Sequence, residues 1–202
     1  MSGLPSLASI NEGQRAPLVQ ALAILLEFPE TLHDELIPSL ITAIQARSAT
    51  PIASYNELID VAFEQISNWD QHLRAKFIAG HPRIGESKNL SALSAKEQGS
   101  AGAAAPTPPD VLGRLAHLNE CYEQRYPGLR YITFVNGRSR AAIALEMEEV
   151  LAIEHSLSPT EPPVSSFEPV EVEGDTWVAE LTRAVVDVGR IAKSRLKSLG
   201  VD

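Results

Sequence analysis

One cysteine, Cys121, stands in 202 residues. That excludes an internal disulfide framework and any multi-cysteine metal site, and it speaks against a small disulfide-stapled secreted fold. Aromatic residues make up 5% of the chain, too few for base-stacking platforms. Cations are also scarce. Seventeen Lys and Arg face 26 Asp and Glu, for a net charge of −9, so the basic footprint that nucleic acid or an anionic membrane needs is missing. No apolar run reaches the length of a membrane span. There is no HExxH, no GxSxG and no glycine loop of the kind that cradles phosphate. The opening MSGLPSLASINEGQR lacks the basic n-region and apolar core of a signal peptide, and the closing Gly200-Val201-Asp202 is not an SKL-type peroxisomal address. Cytoplasm, or peroxisome by another import route, is the expected location. What remains is ordinary: 44% hydrophobic, 21% charged and 21.9 kDa. A chain of this size buries roughly 70% of its unfolded surface and needs no staple to fold.

What is present is helical periodicity. Residues 17–28 (PLVQALAILLEF) are apolar on nearly every face, as in a buried helix. A second helix is expected over 30–45, broken or kinked at Pro38. Ser54 with Glu57 three residues on has capping-box spacing. From there Leu58, Val61, Ala62, Ile66, Trp69, Leu73 and Phe77 recur at three- and four-residue steps, which predicts one long helix to about Ala79. Gly80-His81-Pro82 ends it. Residues 90–98 form a short polar stretch, and the small-residue and proline run 99–109 is a loop. A helix is expected over 110–125. Residues 131–135 (YITFV) are the one β-like stretch, closed by a turn at Asn136-Gly137. Ser139 is placed to cap a helix to about residue 157, residues 158–174 read as an acidic, proline-rich excursion or exposed loop, and Asp175 is placed to cap a final helix. The sum is an all-α, single-domain helical bundle over residues 1–202, with at most one short β-like segment and a loop insertion at 158–174.

The chemistry should lie where loops are held by helices. His81, between a helix terminus and Pro82, has few backbone options and is pre-positioned for acid–base work near neutral pH. A cap on the helix C-terminus accounts for it as well, and the residues alone favour that plainer role. Ser94, Glu97 and Gln98 could present a hydrogen-bonding wall to a small polar ligand, but the same residues describe a solvated helix end. Arg83, Arg138 and Arg140 are the cations nearest these loops and could receive a carboxylate. His117 and Cys121, four apart, have metal-compatible spacing but no second pair, so they read as a core thiol beside a polar face. No metal site is expected.

The motifs in order resemble the 2-oxo-4-hydroxy-4-carboxy-5-ureidoimidazoline (OHCU) decarboxylases of urate breakdown. They are Leu26-Glu27-Phe28, His81-Pro82-Arg83-Ile84-Gly85, Ser94-x-x-Glu97-Gln98 with Ala101-Gly102, and Leu118-Asn119-x-x-Tyr122-x-x-x-Tyr126. Residues 131–135 with Asn136-Gly137-Arg138-Ser139 follow, then a closing Ile191-Ala192-x-x-Arg195-Leu196. The resemblance spans about residues 17–199. It implies a helical fold and a cofactor-free decarboxylation yielding (S)-allantoin. His81 takes the position of the central acid–base residue and Glu97 that of the second essential one. Ser94 and Gln98 match substrate-contacting positions, and Pro82 the proline of the pocket floor. The family arginine after the β-like stretch falls on Asn136, with Arg138 two residues later. A small-molecule substrate is implied, and a homodimer is among the assemblies the resemblance allows. The insertion at 158–174 and the displaced arginine leave two other readings: a non-catalytic helical interaction protein that keeps the fold, and a decarboxylase of a related ureido or purine-derived acid.

Overall fold

The structure, a computed structural model, describes residues 3–26, 33–47, 49–86 and 107–201. Among these it contains eight α-helices, one 3₁₀ turn and no strand, so the chain is all-α. It divides into two compact units, Met1–His81 with Val185–Asp202, and Pro82–Ala184.

In the first unit α1 (Leu7–Asn11), α2 (Arg15–Leu26), α3 (His33–Ala46) and α4 (Tyr55–Ser67) pack in sequence order, and α5 (Gln71–Ala79) follows. Ser6 caps α1, its hydroxyl accepting from Ser9 N. Asn11 then ties α1 to residue 52, its amide bonding both the carbonyl (3.0 Å) and the N–H (2.8 Å) of Ile52. On α2 the buried residues Leu18, Ala21, Leu22, Leu25 and Leu26 form one stripe, whereas Ala23 is exposed. The expectation of a helix buried all round is thus corrected to a one-sided helix, because a stripe at this spacing suffices to reach the core. No break occurs at Pro38. α3 runs through it, since the proline removes one hydrogen bond while Leu36, Ile37, Leu40 and Ile44 are all buried.

The expected single helix from Ser54 to Ala79 is two. α4 ends at Ser67, and Asp70 caps α5 by accepting a 2.8 Å bond from Leu73 N. That local carboxylate bond competes with helix propagation and restarts the helix. The cap at Ser54 stands, with its hydroxyl accepting from Glu57 N at 3.2 Å, while the Glu57 carboxylate reaches back to Ala53 N at 2.9 Å.

The second unit contains α6 (Pro109–Arg125), α7 (Arg140–Leu151), the 3₁₀ turn Val164–Ser166 and the start of α8 (Asp175–Leu199). α6 packs along α7 and against the 3₁₀ turn. Ser139 caps α7 as expected, accepting from Ala142 N at 3.2 Å. That helix stops at Leu151 rather than near 157, because Ala152 turns left-handed at φ 55, which ends a helix. Asp175 is the first residue of α8 rather than a cap, and its carboxylate suits the positive helix start. Residues 131–135 pair with no strand among the described residues; arginines take their carbonyls instead, as described below.

The segment 158–174 is mostly exposed, but it is tied down. It lies along α6, because donors on that helix capture its carbonyls. Arg114 Nη1 donates to Ser158 O at 2.9 Å and also to Glu161 O. His117 Nε2 lies 2.8 Å from Pro162 O, and Arg125 Nη1 2.8 Å from Glu168 O. Val170 N returns a bond to Arg125 O at 2.9 Å, and Phe167 is buried. Arg114 is itself wholly buried and pairs through Nε with Glu148 of α7 at 2.7 Å. Burial acts to raise the Glu148 pKa, but bonds from His155, Arg114 and Ser156 N outweigh it, and the carboxyl sits below its ordinary value.

Arg114→Ala leaves Glu148 buried without its main partner, and urea denaturation at pH 7 should show a loss of about 3–5 kcal/mol. Because the Glu148 pKa is depressed in the folded state, its contribution is present above the ordinary carboxylate value and lost as pH falls through the folded one. The gap between variant and wild type should therefore narrow on the acid side.

Candidate active site

Asp70 starts α5 and Gly80 ends it, with Gly80 N bonded to the carbonyls of Lys76 and Phe77. His81 follows at once, its own N–H bonded to Ile78 O at 3.1 Å. The side chain is buried, 6% exposed. Nδ1 lies 2.9 Å from Phe77 O and Nε2 3.2 Å from Leu26 O. The ring stands edge-on to Phe77, centroids 4.9 Å apart at 86°, and Phe77 in turn meets Phe63 and Trp69 edge-on at 6.3 Å each. In a chain this poor in aromatics, three of them hold one imidazole directly or through Phe77. The ring is thus fixed at both nitrogens and on its flank. A neutral imidazole has a single N–H, so the two carbonyls compete to set the tautomer.

The residues after His81 dock their loop on α6. Arg83 makes a two-pronged pair with Glu123, Nε to Oε1 at 2.7 Å and Nη2 to Oε2 at 2.6 Å. That bond, more than the opposing effect of burial, raises the Arg83 pKa. Asn119 Nδ2 donates to Ile84 O at 2.9 Å and to Leu115 O at 2.7 Å. Gly85 has φ 87, and a Cβ there would come within 3.2 Å of Leu115; glycine is therefore needed for conformation and for space. Pro82 is half-buried at the start of this loop. Glu123 escaped sequence reasoning because nothing in its spacing marks it as the Arg83 partner.

Ser94, Glu97 and Gln98 lie outside the described residues, as does the polar stretch 90–98. Asn136 and Gly137 form the expected turn with φ 47 and 77, closed by Arg138 N bonding Val135 O at 2.9 Å, and Asn136 is exposed at its tip. Arg138 is turned back onto the preceding segment. Its Nε bonds Val135 O at 3.0 Å, Nη2 bonds Phe134 O at 2.6 Å and Thr133 Oγ1 at 2.9 Å, and Nη1 pairs with Glu146. Arg140 differs. It bonds Thr107 Oγ1 at 3.2 Å, its Nε is buried without a hydrogen bond, and burial lowers its pKa. The described residues thus supply His81 in the first unit and Pro82, Asn136, Arg138 and Arg140 in the second.

A second polar cluster was not anticipated. Tyr122 donates to Glu180 Oε1 at 2.5 Å, and Arg183 pairs with Glu180 while donating to Ile132 O at 2.7 Å. The same guanidinium lies 5.3 Å over the Tyr131 ring, whose hydroxyl donates to Glu146 at 2.6 Å. Burial pushes the Tyr131 pKa up to about 12. The cluster holds residues 131–133 in place and borders an open depression at the start of α8, lined by Tyr126, Asp175 and Thr176 among others. Among the described residues no group of three or more His, Cys, Asp or Glu could hold a metal. No helix among them is long and apolar enough to cross a membrane. Cys121 Sγ lies 3.3 Å from His117 Nε2 and is buried.

Comparison with known proteins places this architecture among the carboxy-lyases. Residues 11–157 match the family model for OHCU decarboxylase. The chain belongs to the OHCU decarboxylase family, whose chemistry is a decarboxylation of urate catabolism. It is similar to a 2-oxo-4-hydroxy-4-carboxy-5-ureidoimidazoline decarboxylase of Haloferax volcanii, 29% identical over 121 residues that cover 57% of this chain and 67% of the relative. The closing motif from Ile191 to Leu196 lies beyond the matched span.

Burial pushes the Cys121 thiol up to about 11, and the thiolate is the reactive form. The folded protein should therefore resist iodoacetamide at pH 8 and be alkylated once in denaturant, as read by intact mass. Rapid labelling of the native protein would show an accessible, activated thiol instead.

Proposed function

We propose that this chain decarboxylates 2-oxo-4-hydroxy-4-carboxy-5-ureidoimidazoline to (S)-allantoin without a cofactor, with His81 as general acid/base. Glu97 assists it, and Ser94 and Gln98 orient the substrate. The observation that carries the reading is His81 itself: a buried imidazole pinned at a helix end, in a chain whose residues 11–157 match the family. The match crosses from one compact unit into the other, which supports treating residues 1–202 as one functional domain.

The chemistry suits these residue types. The bond from the ring carbon to its carboxylate breaks, CO₂ leaves, and the electron pair moves into the adjacent ring C=N. That unsaturation does the work a pyridoxal or thiamine sink would otherwise do. The hydroxyl on that carbon then gives up its proton as the carbonyl forms, one proton reaches the neighbouring ureido-bearing carbon from one face, and orientation and water exclusion decide which face. Phe77 O at 2.9 Å from Nδ1 and Leu26 O at 3.2 Å from Nε2 hold the ring in one orientation for that work. Glu97 and Gln98 offer acceptors and donors that match ureido and ring N–H groups. Pro82 restricts the backbone at His81 and shapes the floor. Of the cations near these segments, Arg83 and Arg138 are matched with carboxylates. Arg140, with no acidic partner among the described residues, suits the substrate carboxylate better than either, and Asn136 is left as a hydrogen-bonding group at the rim.

Fresh urate oxidation products should give (S)-allantoin with the wild-type protein, followed by circular dichroism. His81→Ala should lower the rate by about 10²–10⁴-fold, the usual share of general acid–base help. A wild-type protein that leaves the spontaneous racemate unchanged would overturn the assignment. Turnover of a different ureido acid in the same assay would move it to a related substrate.

A further inference from the structure

Two motifs picked out in the sequence, the one at His81 and the closing Ile191-Ala192-x-x-Arg195-Leu196, meet at one place in the first unit. That place is the end of α2. Arg195 Nη1 donates to Leu25 O at 3.1 Å, and His81 Nε2 lies 3.2 Å from Leu26 O, the next carbonyl along. Both side chains are buried, 3% and 6% exposed. Backbone carbonyls are good acceptors for a guanidinium and an imidazole.

The two holds on the His81 ring differ in kind. Phe77 O belongs to the last turn of the helix that carries His81, so the hold on Nδ1 is local. The hold on Nε2 is tertiary, since it depends on where α2 places the Leu26 carbonyl. Because Leu25 and Leu26 are consecutive, a donor that fixes one carbonyl fixes the other. We propose that Arg195 is a positioning residue for His81: by anchoring the end of α2 it keeps the Leu26 carbonyl at Nε2 and so sets the orientation and tautomer of the imidazole. This rests on the reading of His81 as the acid–base group. It extends the working machinery to a residue that lies in α8, beyond the span matched by the family.

Three variants test it. Arg195→Met keeps the length and packing of the side chain but removes its donors, Arg195→Lys keeps a donor and the charge, and Ser54→Ala weakens the α4 cap as a control for general destabilisation. ¹⁵N-edited NMR of the imidazole nitrogens, assigned by the signals lost in His81→Gln, reads the tautomer with no substrate present. In Arg195→Met the His81 balance should move toward Nδ1–H while the protein remains folded. Under the proposed activity kcat should fall about 10–100-fold with KM little changed, the scale of a small misplacement of a catalytic group. Arg195→Lys should recover part of both effects, and Ser54→Ala should show neither. Unchanged His81 resonances in folded Arg195→Met would overturn the proposal, as would an equal shift in Ser54→Ala. If Arg195→Met does not fold, the lysine variant decides: resonances and kcat indistinguishable from wild type would leave the guanidinium no positioning role, and an intermediate shift would support it. A wild-type protein inactive on the substrate would sink the functional reading and leave the NMR result standing.

Discussion

Backbone carbonyls that no helical ladder can satisfy are the constraint around which this structure is organised. An all-α chain must still cross between helices, and every buried carbonyl on the way needs a donor. Here side-chain guanidinium and imidazole groups supply them. Arg195 and His81 serve Leu25 and Leu26 of α2, Arg183 and Arg138 serve residues 132–135, and Arg114 and His117 serve the segment 158–162. Without these donors the carbonyls of residues 132–135 would need other partners, and the proline-rich segment would lose much of what ties it to α6. A guanidinium fits the task because its five N–H groups fan out in one plane and can serve a carbonyl and a carboxylate together, as Arg114 does with Glu148 and Arg183 with Glu180.

The same economy of cations shapes the electrostatics. With 17 basic residues against 26 acidic ones, several arginines are drawn inward and matched. The proposed substrate is an anion, and the net field around the protein is unfavourable to it. A half-buried Arg140 without an acidic partner among the described residues is the kind of local exception that can reverse that field at short range, where low dielectric makes a single charge count. Aromatic residues follow a similar logic of concentration. Phe63, Trp69 and Phe77 gather beside His81, and Tyr122, Tyr126 and Tyr131 beside Arg183. A composition that is poor on average is therefore rich at two points, and both are places where a polar group must be held rigid.

Much of the fold was legible in the chain. Caps at Ser54 and Ser139, the stop at Gly80-His81-Pro82 and the turn at Asn136-Gly137 are local hydrogen-bonding events, and local sequence carries them. The break at residues 68–70 was legible too, in Asp70 three residues before Leu73, but an uninterrupted apolar period concealed it. The halt of α7 at Ala152 had no such signal, because alanine gives no hint of a left-handed backbone. His81 was found by its position, yet neither of its carbonyl partners could be. One is four residues away and the other fifty-five.

The sequence by itself determined the helical class, the helix limits at Ser54, Gly80 and Ser139, and the family, since these rest on residues near one another or on motifs in order. Tertiary structure alone decided which donors meet which carbonyls: that Arg138 turns back onto residues 133–135 and Glu146, that residues 158–174 lie along α6, and that Arg195 and His81 share the end of α2. The reason is physical. A cap is chosen within one turn of the chain, whereas a buried carbonyl takes whichever donor packing brings within about 3 Å, and periodicity carries no record of that.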